Sequence, residues 1–211
     1  MAFPTTSILS SFTGADEDPI SEGGAWGATG IRTSTSPGRK VSGEFARAAA
    51  VTTGFDGIWN TSFAADQEAF VTYSVLSGSG SRPVVYARIQ NEGTSSVVAY
   101  NFGYVQAAGT WRFFRLNNLT FTQVGGDHAG ADLAAGDSFG ISVIGTTLEG
   151  WFKAAGGSWV SLGTETDTNI AGAGKIGIQL QNNLNMRVDE FGGGEIVPAS
   201  SASFMAISRR G

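Results

Sequence analysis

The chain contains no cysteine and a single histidine, His128, among 211 residues. Without cysteine there is no disulfide, no thiolate zinc centre and no cysteine nucleophile, so stability has to come from packing. One histidine is too few for a His-based metal cluster. Charge is scarce as well: Asp, Glu, Lys and Arg supply 15% of the residues, where about 25% is usual. The 13 basic and 18 acidic residues leave a formal net charge of −5, which gives the chain as a whole no electrostatic footprint for nucleic acid or an anionic membrane. No apolar run approaches the roughly 20 residues that span a bilayer. The opening MAFPTTSILSSFTG lacks both the basic region and the long apolar core of a standard secretory signal. The missing cysteine fits synthesis in the cytosol, and the final compartment stays open.

What the chain has in excess is glycine, 31 residues, placed between short apolar runs and not in a periodic tract. Residues 138–191 read as strands closed by glycine turns: SFGISVIG, TLEGWFKAAGGSWVSLGT, KIGIQLQN and MRVDEFGGG. Ile141, Val143 and Trp151 alternate with small or polar neighbours, the period of two expected of a sheet with one buried face. Further strands are expected at residues 8–12, 40–45, 58–63, 68–76, 84–89, 97–102, 111–116 and 119–124, about a dozen in all. Pro19 and Gly23-Gly24 rule out a helix in the loop TGADEDPISEGGAWG, and residues 44–51, EFARAAAV, read as strand plus loop. Strands at this spacing predict an all-β, antiparallel two-sheet sandwich. One domain over residues 1–194 is expected, followed by a Gly-, Pro- and Ser-rich tail or docking arm, residues 195–211, with Phe204, Met205 and Ile207 as its anchors.

Several residue runs carry a family resemblance. SILSSFTGADEDPISEGGAWG resembles the opening of concanavalin A-like lectin/glucanase jelly-roll proteins of tailed phages and their bacterial relatives: a strand, then F-x-x-A-[DN]-E-x-P-[LI], then G-G-x-W. Ala65-Asp66-Gln67-Glu68-Ala69, Tyr86-Ala87-Arg88-Ile89, Ala135-Gly136-Asp137, the K-x-x-G-G-x-W hairpin from Lys153 to Trp159 and the closing run from Val188 to Gly194 follow in the same order. The resemblance implies a jelly roll serving sugar binding, glycan hydrolysis or plain virion decoration; fold alone does not choose among these.

The residues can be tested against each chemistry. Glycosidases of this fold carry a strand-borne E-x-D-x-x-E whose alternation gathers three carboxylates, two of them about 5 to 5.5 Å apart. The nearest match, Glu165 to Ile170, puts isoleucine in the third place and is expected to lie in a loop. Asp189 and Glu190 are adjacent, so on a strand they face opposite ways. His128, in the glycine- and alanine-rich run VGGDHAGADLAAGD, reads as an exposed loop residue and not as a catalytic base. Gly78-Ser79-Gly80 and the glycines before Lys175 lack the phosphate-loop pattern and a following helix. Arg112-Phe113-Phe114-Arg115 is the one interleaving of basic and aromatic residues, too little for a nucleic-acid platform.

Two binding expectations remain. Calcium needs only oxygen ligands, and Asp16 and Asp18 of GADEDP would come near Asp189 if the first and last strands pair; a solvated acidic turn is the alternative. Sugars stack on exposed rings, and Tyr86, Arg88, Tyr100, Trp111 and Arg115 would suit a sugar-binding sheet face, whereas most of the 14 Phe, 5 Trp and 4 Tyr belong in the core. Residues and resemblance together predict a non-enzymatic virion surface protein of a tailed phage, in capsid decoration, a head fibre or a tail, without an obligatory cofactor. Its expected partners are other virion proteins, copies of itself and cell-surface glycans, with no nucleic acid and no membrane. A free carbohydrate-binding module is the alternative, and a glycoside hydrolase stands behind both.

Overall fold

In a computed structural model the chain is described over residues 2–46, 54–75, 82–181 and 185–197. Fifteen strands follow in order: β1 Ile8–Ser10, β2 Ser36–Pro37, β3 Arg39–Val41, β4 Glu44–Ala46, β5 Phe55–Ile58, β6 Gln67–Val75, β7 Arg82–Gln90, β8 Val98–Val105, β9 Thr110–Asn117, β10 Thr120–His128, β11 Ser138–Ile144, β12 Thr147–Lys153, β13 Val160–Thr166, β14 Lys175–Gln181 and β15 Arg187–Glu195. The first sheet has the order β13-β12-β11-β6-β15-β4-β3, with β1 added on β15, and the second the order β10-β9-β8-β7-β14-β5-β2. Pairing is antiparallel except between β2 and β5. The expected sandwich is present. Three-residue 3-10 geometry at Glu22–Gly24 is the nearest approach to a helix among the described residues.

Alternation explains the core. Val85 and Ala87 of β7, Tyr100 and Phe102 of β8, Trp111 and Phe113 of β9, and Ile176, Ile178 and Leu180 of β14 point inward, against Val71 and Tyr73 of β6, Phe139 and Ile141 of β11, and Phe191 of β15. Stacked and tilted ring pairs run through this layer, among them Phe102 with Trp111 at 5.5 Å and Trp26 with Phe191 at 5.0 Å. The opposite residues of the second sheet, Val84, Tyr86, Ala99 and Leu116, form a smaller cluster with Ile31, Ile58, Ile89 and Val97. The second sheet is therefore partly roofed on its outer side by the loop that carries Ile31.

Local differences from the sequence expectations have simple causes. The strand expected at 40–45 is a hairpin, β3 and β4, because Ser42 and Gly43 take φ of 55° and 79° and turn the chain. The strand expected at 58–63 ends where it was to begin: β5 stops at Ile58, and Trp59 and Phe63 make only single bridges, to Trp26 and Gly174. His128 is not in a loop. A bulge after Val124 lets β10 continue and pair His128 with Trp111. Glu165 likewise lies within β13. The sheet also runs past residue 194, since Glu195 pairs with Gln67 and the Ile196 amide donates to the Asp66 carbonyl at 2.8 Å. The proposed arm residues Phe204, Met205 and Ile207 lie outside the described residues.

Candidate functional site

The five residues expected to bind sugar are not brought together. Tyr86 faces outward on β7, while Tyr100 and Trp111 face the inter-sheet core, and all three are 0% exposed. No sugar can stack on rings so enclosed. Each of the five already has a structural partner. The Tyr100 hydroxyl donates to Asp167 Oδ1 at 2.8 Å and accepts from the Ile170 amide at 2.9 Å, and Trp111 Nε1 donates to the Ala131 carbonyl. Arg88 spends its guanidinium on the carbonyls of Ala65, Ile170 and Gly145, and Arg115 binds Asp167. Burial pushes the Asp167 carboxyl up, but Asn169, Tyr100 and Arg115 outweigh it and leave it below the ordinary range.

The acidic expectations separate in the same way. β1 does pair with β15, as the calcium reading required. Asp16, however, accepts from the Ser42 amide in the β3–β4 turn, and neighbouring Glu17 is committed to Lys40. Among the described residues no three His, Asp or Glu side chains stand close enough to share a metal ion, so Asp16, Asp18 and Asp189 do not form a calcium site. Of the carboxylates weighed for catalysis, Glu165 meets His128 Nε2 at 3.0 Å, Asp167 meets Arg115, and Ile170 is buried.

The outer face of the second sheet holds what the sequence reading missed. Cross-strand register lines up Tyr86, Asn101 and Phe114 in one row and Asp56, Gln179, Val84, Gly103 and Arg112 in the next. Phe114 carries the Arg82 guanidinium 4.1 Å from its ring centre and meets Phe121 edge-on at 6.5 Å. Arg32, from the loop before β2, lies 5.2 Å over Phe121. Such cation–ring contacts hold an arginine head flat while leaving its edge N–H groups free for a ligand. Arg112 completes the set, bound to Asp127 at 2.7 Å. Asn101, 1% exposed, has no hydrogen-bond partner for either its amide nitrogen or its oxygen.

The loop over this face is fixed from below. Asp56, fully buried on β5, accepts from the Ile31 amide at 2.7 Å, from the Thr35 hydroxyl and from Gln179, whose own carbonyl oxygen accepts from the Tyr86 hydroxyl at 3.1 Å. Burial pushes the Asp56 carboxyl up to about 6 against those three donors. A chain of polar contacts thus runs from the sheet to the loop that presents Arg32.

The outer face of the first sheet carries a second feature. Residues 2–6 lie across it: Glu68 Oε1 accepts from the amides of Thr5 and Thr6 and from the Thr6 hydroxyl, at 2.7, 2.7 and 2.6 Å. Phe3 then stacks on Trp151 at 4.9 Å with Trp159 edge-on at 4.8 Å. The gap for its ring is made by Gly140, where an added Cβ would stand 2.5 Å from Phe3 Cζ. Beside Phe3 an open cleft of about 530 Å³ is lined by Trp151, Lys153, Ser158 and Trp159.

No protein-family profile matches the chain, and no curated protein matches it in sequence. Solved structures do. The chain superposes on the exoplasmic/lumenal domain of VIP36 in its Ca2+/Man3GlcNAc-bound form with a TM-score of 0.64 at 9% identity, over 92% of this chain and 90% of that one. A Bacillus subtilis protein with a galectin-like fold gives 0.58 at 11% identity, over 92% and 100%. A prokaryotic β-1,3-1,4-glucanase (lichenase) from a mouse hindgut metagenome gives 0.55 at 9% identity, over 91% and 100%. The fold is a concanavalin A-like jelly roll; at these identities the likeness shows the fold alone.

Proposed function

We propose that the chain binds carbohydrate on the outer face of its second sheet and catalyses no reaction there. The observation that carries this reading is Asn101, a buried amide with neither end partnered, set next to the ring on which Arg82 rests. A side-chain amide can make four hydrogen bonds, and leaving a buried one empty costs about 1–3 kcal/mol, so such a group points to a water or ligand that completes it. Amides, arginines and ring edges are the groups with which a protein holds hydroxyl-rich rings. The lectin-like neighbours lend a prior through their fold. The absence of catalysis is supported by the engagement of Glu165 with His128 and of Asp167 with Arg115.

The test is a glycan array with the purified chain and three variants. Asn101→Ala and Phe114→Ala should lose the signal while Trp159→Ala keeps it. A silent array would sink the reading, and loss confined to Trp159→Ala would move the site to the cleft beside Phe3. Reducing-sugar release above background from a bound glycan would overturn the non-enzymatic part.

The setting on a tailed-phage virion rests on the sequence resemblance alone. If the tail anchors the protein there, deleting residues 198–211, clear of β15, removes it from particles and leaves the sandwich folded. Unchanged incorporation would end that idea.

A further inference from the structure

The chain is acidic overall, yet three of its arginines converge on one sheet face. Arg32 and Arg82 lie 5.2 and 6.0 Å from the same ring centre, that of Phe121, and Arg82 also sits on Phe114, a strand-mate of Arg112 two residues along β9. Among the described residues Arg32 and Arg82 are in no ion pair, whereas Lys40, Arg88, Arg112, Arg115, Lys175 and Arg187 all are. The carboxylates nearest this face are already engaged: Asp127 by Arg112 and Gln123, Asp56 by Thr35, Gln179 and the Ile31 amide. The Nε atoms of Arg32 and Arg112 are buried and unpartnered.

Arg32 and Arg82 stand over the same ring with no ion-pair partner among the described residues, and like charges so placed destabilise one another unless an anion joins them. Burial, together with the charges of Arg112 and Arg32, lowers the proton affinity of the Arg82 guanidinium. We propose that the saccharide recognised here is acidic, its carboxylate or sulfate group taken by Arg32 and Arg82 with Arg112 at the edge, while the Asn101 amide reads a neighbouring hydroxyl. This rests on the glycan-binding reading above and narrows it to one ligand class. Guanidinium groups suit the role because a carboxylate or sulfate presents paired oxygens to their parallel N–H donors, and the Phe114 and Phe121 rings have already fixed the planes of two of them. A nucleic-acid strand, by contrast, would bring its repeated phosphates against a chain whose net charge is −5.

The experiment titrates the full chain with three acidic probes and their neutral counterparts: oligogalacturonate against its methyl ester, sialyllactose against lactose, and a sulfated oligosaccharide against its desulfated form. At least one acidic probe should bind ten-fold or more tightly than its counterpart, weaken with added salt, and lose ten-fold or more on Arg82→Gln with an unchanged melting temperature. Arg32→Gln serves as the second variant, since its position in a loop spares the sheet. Which pair responds separates carboxylate from sulfate. Equal binding of acidic and neutral members would overturn the acidic assignment and leave glycan binding standing. Binding of none of the six would count against both. An oligonucleotide competing as well as the best saccharide would also overturn it.

Discussion

Nε2 of His128 lies 3.0 Å from Oε1 of Glu165, joining the last residue of β10 to β13. Those two strands are the free edges of opposite sheets. The His128 Nδ1 side meets the Leu162 carbonyl at 3.2 Å, and the Gly126 amide donates to the same Glu165 oxygen. The chain's single histidine is therefore a clasp along one side of the sandwich. Replacing it with alanine should cost about 1–2 kcal/mol, the range for losing a partly buried hydrogen bond to a carboxylate. A chain of this size should then melt roughly 2–8 °C lower. Calorimetry checks this, and an unaltered melting point would reduce the clasp to a surface contact.

Asp56 makes stability depend on pH in the direction opposite to most carboxylates. Its folded value of about 6 lies above the ordinary 3.8 because burial disfavours the charged form. The folded state therefore holds a proton that the unfolded chain has released. The resulting stabilisation is complete below about 3.8 and declines as pH rises through about 6, by an amount of order 3 kcal/mol. Melting temperatures across that window should fall for the native chain and stay flatter for Asp56→Asn. The protonated acid has a ready acceptor in the Thr35 hydroxyl, which can pass its own hydrogen to the Arg32 carbonyl at 3.0 Å.

Glu68 holds the N-terminal strap through three hydrogen bonds to one oxygen. Glu68→Ala should release residues 2–6, expose Trp151 and Trp159, and cost about 2–3 kcal/mol, as expected where several donors lose a charged acceptor. Protease sensitivity near the N-terminus and a red-shifted tryptophan emission are the readouts.

Gly192 offers a steric test. A Cβ there would stand 2.1 Å from Phe70 Cζ, so Gly192→Ala forces the ring off its place on β6. The expected loss is about 1–3 kcal/mol, typical of overpacking. Gly43→Ala makes a useful contrast, because nothing lies within 4 Å of that position and only its φ of 79° resists the change. Denaturant unfolding of the two variants separates crowding from backbone strain.

Much of the architecture was legible because period-two alternation and glycine turns are written residue by residue, as in Ile141, Val143 and the closing run of β15. What escaped was register. Tyr86 and Tyr100 look alike in sequence, yet Tyr86 pairs with Asn101 and not with Tyr100, so the two rings leave the sheet on opposite faces. The bulge that keeps His128 in β10 left no mark beyond a glycine pair that also reads as a loop. The site itself was half visible in Arg112-Phe113-Phe114-Arg115. Alternation sends Arg112 and Phe114 outward together, but Arg82 and Arg32 arrive from 30 and 80 residues away along the chain, a distance no local pattern spans.

The strand laid down late in the chain, β15, sits in the middle of its sheet, between β6 and β4, and β14 sits likewise between β7 and β5. Each layer therefore lacks a central strand until β14 and β15 have been made. Such distant pairings close slowly. A stop codon anywhere before β14 would yield a product unable to seal either layer, which makes β14 and β15 the strands that commit the sandwich to its shape.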